Sequence, residues 1–136
     1  NTIAAGGIWR KPLFLECTLD ETTGEPLTAL AHRGARRVFS AQTARALREL
    51  LASVVTEGTG HEAAPTEGTA AGKTGTAQTG QFAAGKELKN YWFAGFYPAR
   101  NPRYTIVVLQ DGQTGPSRTS AAIFARVCDA LDAAGE

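Results

Sequence analysis

The 136 residues suit one domain or one large piece of one, and 43% hydrophobic with 20% charged residues is ordinary globular composition rather than disorder. Fourteen basic against thirteen acidic residues give a net charge of +1, so charge points to neither nucleic acid nor an anionic membrane surface. No segment approaches the roughly twenty apolar residues of a membrane span, and no signal peptide is visible.

In chain order, residues 1–7 read as a helix end running into Gly6 and Gly7. Alternation of Leu13, Leu15, Cys17 and Leu19 with Phe14, Glu16, Thr18 and Asp20 predicts a strand, and 26–30 its returning hairpin arm after a Glu21-Thr22-Thr23-Gly24 turn. Arg33, Arg36 and Arg37 form a basic patch that reads as a solvated turn. Ser40 is an N-cap candidate. Behind it Ala44, Leu47, Leu51, Val54 and Val55 recur at helical spacing, with Leu50 widening the stripe, until Gly58 and Gly60 close the helix.

Residues 62–68 read as a loop, 69–78 as a strand and 80–86 as a second loop. Strands over 90–97 and 103–110 flank a short turn that contains Pro98 and Pro102. A closing helix over about 119–133 carries Ile123, Phe124, Val127 and Leu131 at spacings of one, three and four residues, and Ile123, Val127 and Leu131 are expected to pack on one sheet face. Strands and helices segregate, and the last three strands need no crossover helices. The fold class is therefore α+β, an antiparallel sheet flanked by helices.

Cys17 and Cys128 leave a disulfide or two buried thiols open. Two histidines, with no CxxC or HExxH spacing, argue against a metal site.

Chemistry concentrates in Ala71-Gly72-Lys73-Thr74-Gly75-Thr76-Ala77-Gln78. A phosphate-binding P-loop would need glycine at position 67, where Glu67 stands, and a helix after Lys73, where Gly75, Thr76 and Thr79 are poor helix formers. The better reading is the Lys-Thr-Gly strand of an acyl-transferring serine enzyme. A lysine fixed on a strand offers a point charge to a carboxylate. Thr74 and Thr76, two apart, project from one face. Gly75 lets a ligand approach the backbone closely, and the N–H beyond it can donate to an oxyanion.

Beyond that triplet, Ile3-Ala4-Ala5-Gly6-Gly7, Val54-Val55-Thr56-Glu57-Gly58-Thr59-Gly60 and Trp92-Phe93-Ala94-Gly95-Phe96-Tyr97-Pro98 stand in the order found in class B penicillin-binding proteins. The chain thus resembles the C-terminal part of their D,D-transpeptidase domain over nearly its whole length, 1–136. The resemblance implies a β-lactamase-like fold and a peptidoglycan transpeptidase that cross-links stem peptides ending in D-Ala-D-Ala, binds β-lactams and works through a serine acyl-enzyme without a cofactor. It implies that Lys73 supports catalysis electrostatically. Thr74, Gly75 and Thr76 would bind the substrate carboxylate region, the backbone N–H of Thr76 would serve the oxyanion hole, and Gln78 would line the cleft. It also implies a place on the outer face of the cytoplasmic membrane, with an anchor in the full-length protein.

The family's Ser-x-x-Lys and Ser-x-Asn motifs are missing. Neither Ser40, Ser53, Ser117 nor Ser120 has Lys three places on or Asn two places on. Gly115-Pro116-Ser117 fails as a nucleophile elbow because Thr119 stands where glycine is needed. The chain is therefore expected to be a fragment whose partner is the upstream half, in the same protein or on another chain, to be inactive alone, and to self-associate or pair with a separate chain over the apolar surface that the upstream half would cover. Two other readings remain: a catalytically silent domain used for sensing or protein contact, and a serine β-lactamase, against which the Thr76-Ala77-Gln78 and Gly58-Thr59-Gly60 phrases lean.

Overall fold

The computed structural model describes residues 1–29, 34–115 and 118–135. Leu30, His32, Arg33, Pro116 and Ser117, on which some of the expectations above fall, lie outside the described residues. The elements run β1 (Ile8–Arg10), β2 (Cys17–Leu19), β3 (Pro26–Ala29), β4 (Ala35–Arg37), α1 (Ala41–Thr56), a single 3₁₀ turn (His61–Ala63), β5 (Ala71–Ala83), β6 (Lys86–Tyr97), β7 (Tyr104–Gln113) and α2 (Arg118–Ala133).

The principal sheet is β5-β6-β7, antiparallel throughout, as the alternation in the sequence predicts. The two outer pairs, β1 with β4 and β2 with β3, are small separate ribbons.

The N-terminal phrase closes as a helix end would. The N–H of Gly7 donates to the Thr2 carbonyl at 2.9 Å and that of Gly6 to Ile3 at 3.1 Å. With Gly6 at φ 66° this is a Schellman closure, which needs a residue free to take positive φ.

Ser40 caps α1 as expected, its Oγ accepting from the Thr43 N–H at 3.0 Å. Ala44 and Val55 are buried along the helix, whereas Leu50 is 64% exposed and does not belong to the inner face.

Two cores sit on opposite faces of the sheet, because successive residues of a strand point to opposite sides. On one face Phe93 and Tyr97 pack with Ala121, Phe124 and Cys128 of α2 and with Val55 and Ala63. The Phe93 and Phe124 rings meet at 4.6 Å between centroids, tilted by 56°. On the other face Phe96, Ala71 and Ala99 pack with Leu51 and Ala52 of α1 and with Ile3 and Ala4. That second face is covered only at this end. Farther along the sheet, Trp92, Val107 and Leu109 remain exposed.

Four sequence expectations need correction. The strand expected from Leu13 is confined to Cys17–Leu19, and Phe14 is 97% exposed, since only a three-residue partner register exists there. The loop expected over 80–86 is instead strand on both sides of a tight reversal at Ala84 (φ 50°) and Gly85 (φ 76°). Two successive residues at positive φ match the right-handed twist of a hairpin. Arg36 and Arg37, expected in a solvated turn, are exposed but lie in β4, which pairs residues 35–37 with residues 8–10 of β1 and which no periodicity announced.

The last correction concerns α2. Ala121, Phe124 and Cys128 face the sheet, while Ile123, Val127 and Leu131 line a surface depression on the outer side. A Cβ at Gly95 would lie 2.5 Å from the Ala71 carbonyl oxygen and 2.9 Å from the Phe124 ring, so the missing side chain leaves room for Phe124 to pack against the sheet. Both cysteines are free thiols, Cys17 half-buried and Cys128 buried.

Candidate active site

All the predicted site residues lie on β5, which among the described residues is an edge strand paired only with β6. Edge placement leaves every second backbone N–H and C=O directed away from β6 and open to a ligand. Lys73, Thr76 and Gln78 are exposed, Thr74 and Gly75 partly so. Register pairs Thr74 with Phe93, Gly75 with Trp92 and Thr76 with Tyr91. Cross-strand partners share a face, so Thr74 and Thr76 stand on the Phe93 side, while the Lys73 backbone position belongs to the face of Trp92 and Phe96.

The lysine head nevertheless turns back to the strand edge. Its Nζ donates to the carbonyl oxygen and to Oγ1 of Thr74, each at 3.1 Å. Both acceptors are neutral, and among the described residues no carboxylate lies within ion-pair distance of it. Lys73 thus presents an uncompensated positive charge beside two threonine hydroxyls. Gln78 is less available, because its Nε2 donates to Glu87 Oε2 at 3.0 Å across the hairpin.

The strand is held in place from both sides. Upstream, the chain leaving α1 folds back on the helix: the Gly60 N–H donates to the Val54 carbonyl at 3.0 Å. A Cβ at Gly58 would lie 2.9 Å from Val54 backbone, and one at Gly60 3.2 Å from the Phe93 ring. The Gly-Thr-Gly phrase thus has no room for a side chain at Gly58 and only a tight space at Gly60. It delivers the Thr59 hydroxyl to within 3.5 Å of the Thr74 hydroxyl. Sequence reasoning saw the phrase but not Thr59 as a neighbour of the site, because the contact spans fifteen residues.

The following loop is fastened to α2. Thr66 donates from its N–H to Asp129 Oδ1 at 2.7 Å and from its hydroxyl to Oδ2 at 3.1 Å. The Tyr97 hydroxyl bonds Asp132 Oδ2 at 2.6 Å and the Glu67 carbonyl at 3.3 Å. The hydrogen bond to the Asp132 carboxylate, with burial second, pushes the Tyr97 phenol up to about 12. Finally the Ala99 N–H donates to the Thr69 carbonyl at 2.8 Å, just before β5 begins.

The glycines of the motif have different jobs. A Cβ at Gly72 would fall 2.5 Å from the Phe93 ring and 2.8 Å from the Ala94 carbonyl, so no side chain fits there. At Gly75 it would meet only the Trp92 Cβ, at 3.4 Å, an ordinary contact. Packing within this chain demands glycine at 72 and leaves 75 open.

The family model described as the penicillin-binding protein transpeptidase domain matches residues 1–129. The chain belongs to the penicillin-binding protein transpeptidase domain family. It is 33% identical to penicillin-binding protein PbpB of Mycolicibacterium smegmatis over 96% of this chain and 22% of that protein. It is 39% identical to the probable peptidoglycan D,D-transpeptidase PenA of Neisseria meningitidis over 63% of this chain and 15% of that protein. Among solved structures, penicillin binding protein 3 from Mycobacterium tuberculosis complexed with aztreonam superposes with a TM-score of 0.77 at 32% identity, covering 98% of this chain and 33% of that one. The chain therefore spans 22% and 15% of the length of these two curated relatives and a third of the solved one. The matched region is the C-terminal part of the family's domain.

Proposed function

We propose that this chain supplies the Lys-Thr-Gly wall of a peptidoglycan D,D-transpeptidase site, in which a serine from the upstream part of the domain is the nucleophile. The observation that carries the reading is Lys73 itself, an ammonium on an exposed sheet edge that among the described residues has no carboxylate partner and is hydrogen-bonded only to Thr74, next to Thr76. The serine Oγ attacks the carbonyl between the two terminal D-alanines. That peptide bond breaks, D-alanine leaves as the amine, and an acceptor amine of a second stem peptide then displaces the serine ester.

In this scheme Lys73 stabilises negative charge on the substrate side of the cleft, and the Thr74 and Thr76 hydroxyls bind the terminal carboxylate, with Gly75 leaving the backbone accessible. The Thr76 N–H is one oxyanion donor. Supporting that assignment, the Thr74 carbonyl is within reach of Nζ from outside the sheet, and backbone groups two residues apart point the same way. Gln78 lines the far end of the cleft. The working protein stands on the outer face of the cytoplasmic membrane, where peptidoglycan is assembled, and β-lactams acylate the same serine.

The test is the full-length protein with fluorescent penicillin. Lys73→Ala should slow acylation about a hundred- to a thousand-fold, the scale of losing one preorganised electrostatic partner. Its thermal unfolding should stay within about 0.5 kcal/mol of the parent, because an exposed side chain leaves no cavity. This chain without its upstream half should not label, since none of its serines is followed by lysine three places on. An unchanged rate in Lys73→Ala removes the lysine from the mechanism. A full-length protein that never labels is a catalytically silent domain instead.

A further inference from the structure

A second concave region lies between α1 and the turn that joins β6 to β7. It is a cavity of about 480 Å³ lined by Arg45, Arg48 and Glu49 of α1, with Arg100 from the turn, over Ala52 and Ala99. Positions 45, 48, 49 and 52 recur at helical spacing, so they share one face of α1. Arg45 is matched by Glu49, its Nε 3.1 Å from Oε1. Arg48 and Arg100 have no hydrogen-bond or ion-pair partner among the described residues. The cavity thus carries three guanidiniums against one carboxylate. That excess of two positive charges is larger than the +1 of the entire chain.

Like charges gathered around a concavity concentrate the local potential and draw in anions. Guanidinium adds planar, paired donors that match carboxylate and phosphate oxygens. The two alanines keep the floor shallow and apolar, and the volume is within the roughly 300–1,000 Å³ of small-molecule sites. None of these residues belongs to the Lys73 edge.

We propose that this cavity is a binding site for a multivalent oxyanion, a ligand bearing two or more carboxylate or phosphate groups held between Arg48 and Arg100. Arg45, braced by Glu49, orients it from the third side.

The experiment is isothermal titration of the full-length protein at low salt with two probes, pyrophosphate for the phosphate source and citrate for the carboxylate source. Saturable binding of at least one probe is expected, weakening with added salt and weakened about tenfold or more in the Arg48→Ala/Arg100→Ala double variant. Which probe binds tells which source the site takes. Lys73→Ala should bind the probe as the parent does. Absence of saturable binding with both probes, equal affinity in the double variant, or loss of binding in Lys73→Ala would each overturn the proposal. Thermal unfolding of the double variant distinguishes a lost site from a lost fold. Penicillin labelling of the parent reports the transpeptidase reading independently, so either reading can fail alone.

Discussion

The Tyr97 hydroxyl lies 2.6 Å from a carboxylate oxygen of Asp132, joining the end of β6 to the last turn of α2. The same hydroxyl reaches the Glu67 carbonyl at 3.3 Å, so one buried group ties strand, helix and the loop that leads to Lys73. Tyr97→Phe removes a hydrogen bond to a charged group and should cost about 1.5–3 kcal/mol, read from the urea midpoint.

The same contact sets a pH dependence. Folding raises the Tyr97 phenol from 10.0 to about 12, so the folded state holds the proton more tightly than the unfolded chain. Its contribution is fully present below about pH 10 and disappears as pH rises through 12. Cys128 acts in the same direction, because burial raises its thiol from 9.0 to about 12. Urea midpoints should therefore fall from about pH 9 upward, and Tyr97→Phe should flatten the part of that fall above pH 10. A Tyr97→Phe profile with an unchanged slope there would contradict the linkage.

Cys128 should also be chemically silent. It is fully buried and its thiolate is disfavoured, whereas Cys17 is half-buried on a small ribbon. At pH 8 an alkylating reagent should modify Cys17 in the native protein and both cysteines in denaturant, as mass spectrometry of the peptides would show.

The two glycines around Lys73 should answer differently to alanine. Gly72→Ala forces a methyl into the Phe93 ring and should cost about 1–3 kcal/mol or more. Gly75→Ala meets one ordinary contact and should change stability by less than about 0.5 kcal/mol. Equal costs at the two positions would refute the steric assignment.

Ser40→Ala should cost about 1 kcal/mol, the usual value of an N-cap whose oxygen accepts a first-turn N–H. Thermal unfolding of the variant measures it, with Ser40→Asp as the conservative replacement that should restore most of the loss.

Those residues also show what a sequence can and cannot disclose. The β5-β6-β7 sheet was readable because alternation and the Pro98–Pro102 turn are local signals, and Lys73 because its neighbours form a recurring phrase. The Ala84-Gly85 reversal was not, since alanine at positive φ is uncommon and carries no turn signature. β1 and β4 were too short for a period to register. For α2 the periodicity favoured Ile123, Val127 and Leu131, whereas the stripe that packs, Ala121, Phe124 and Cys128, meets the sheet beside Gly95, on another element altogether. Thr59, Asp129 and Asp132 reach the site region only through contacts of fifteen to sixty-three residues in separation, which no local pattern encodes.

The paired carboxylates of α2 give the far end of the chain a say in chemistry it never touches. Asp129 and Asp132 grip Thr66, Tyr97 and, through Tyr97, Glu67. Trimming the helix before Asp129 would release the segment that launches β5, and a protease should then find residues 64–70 before it finds the sheet. Damage at the C-terminal helix would be felt as a blurred position of the Lys73 ammonium, while the motif around it stayed letter-perfect.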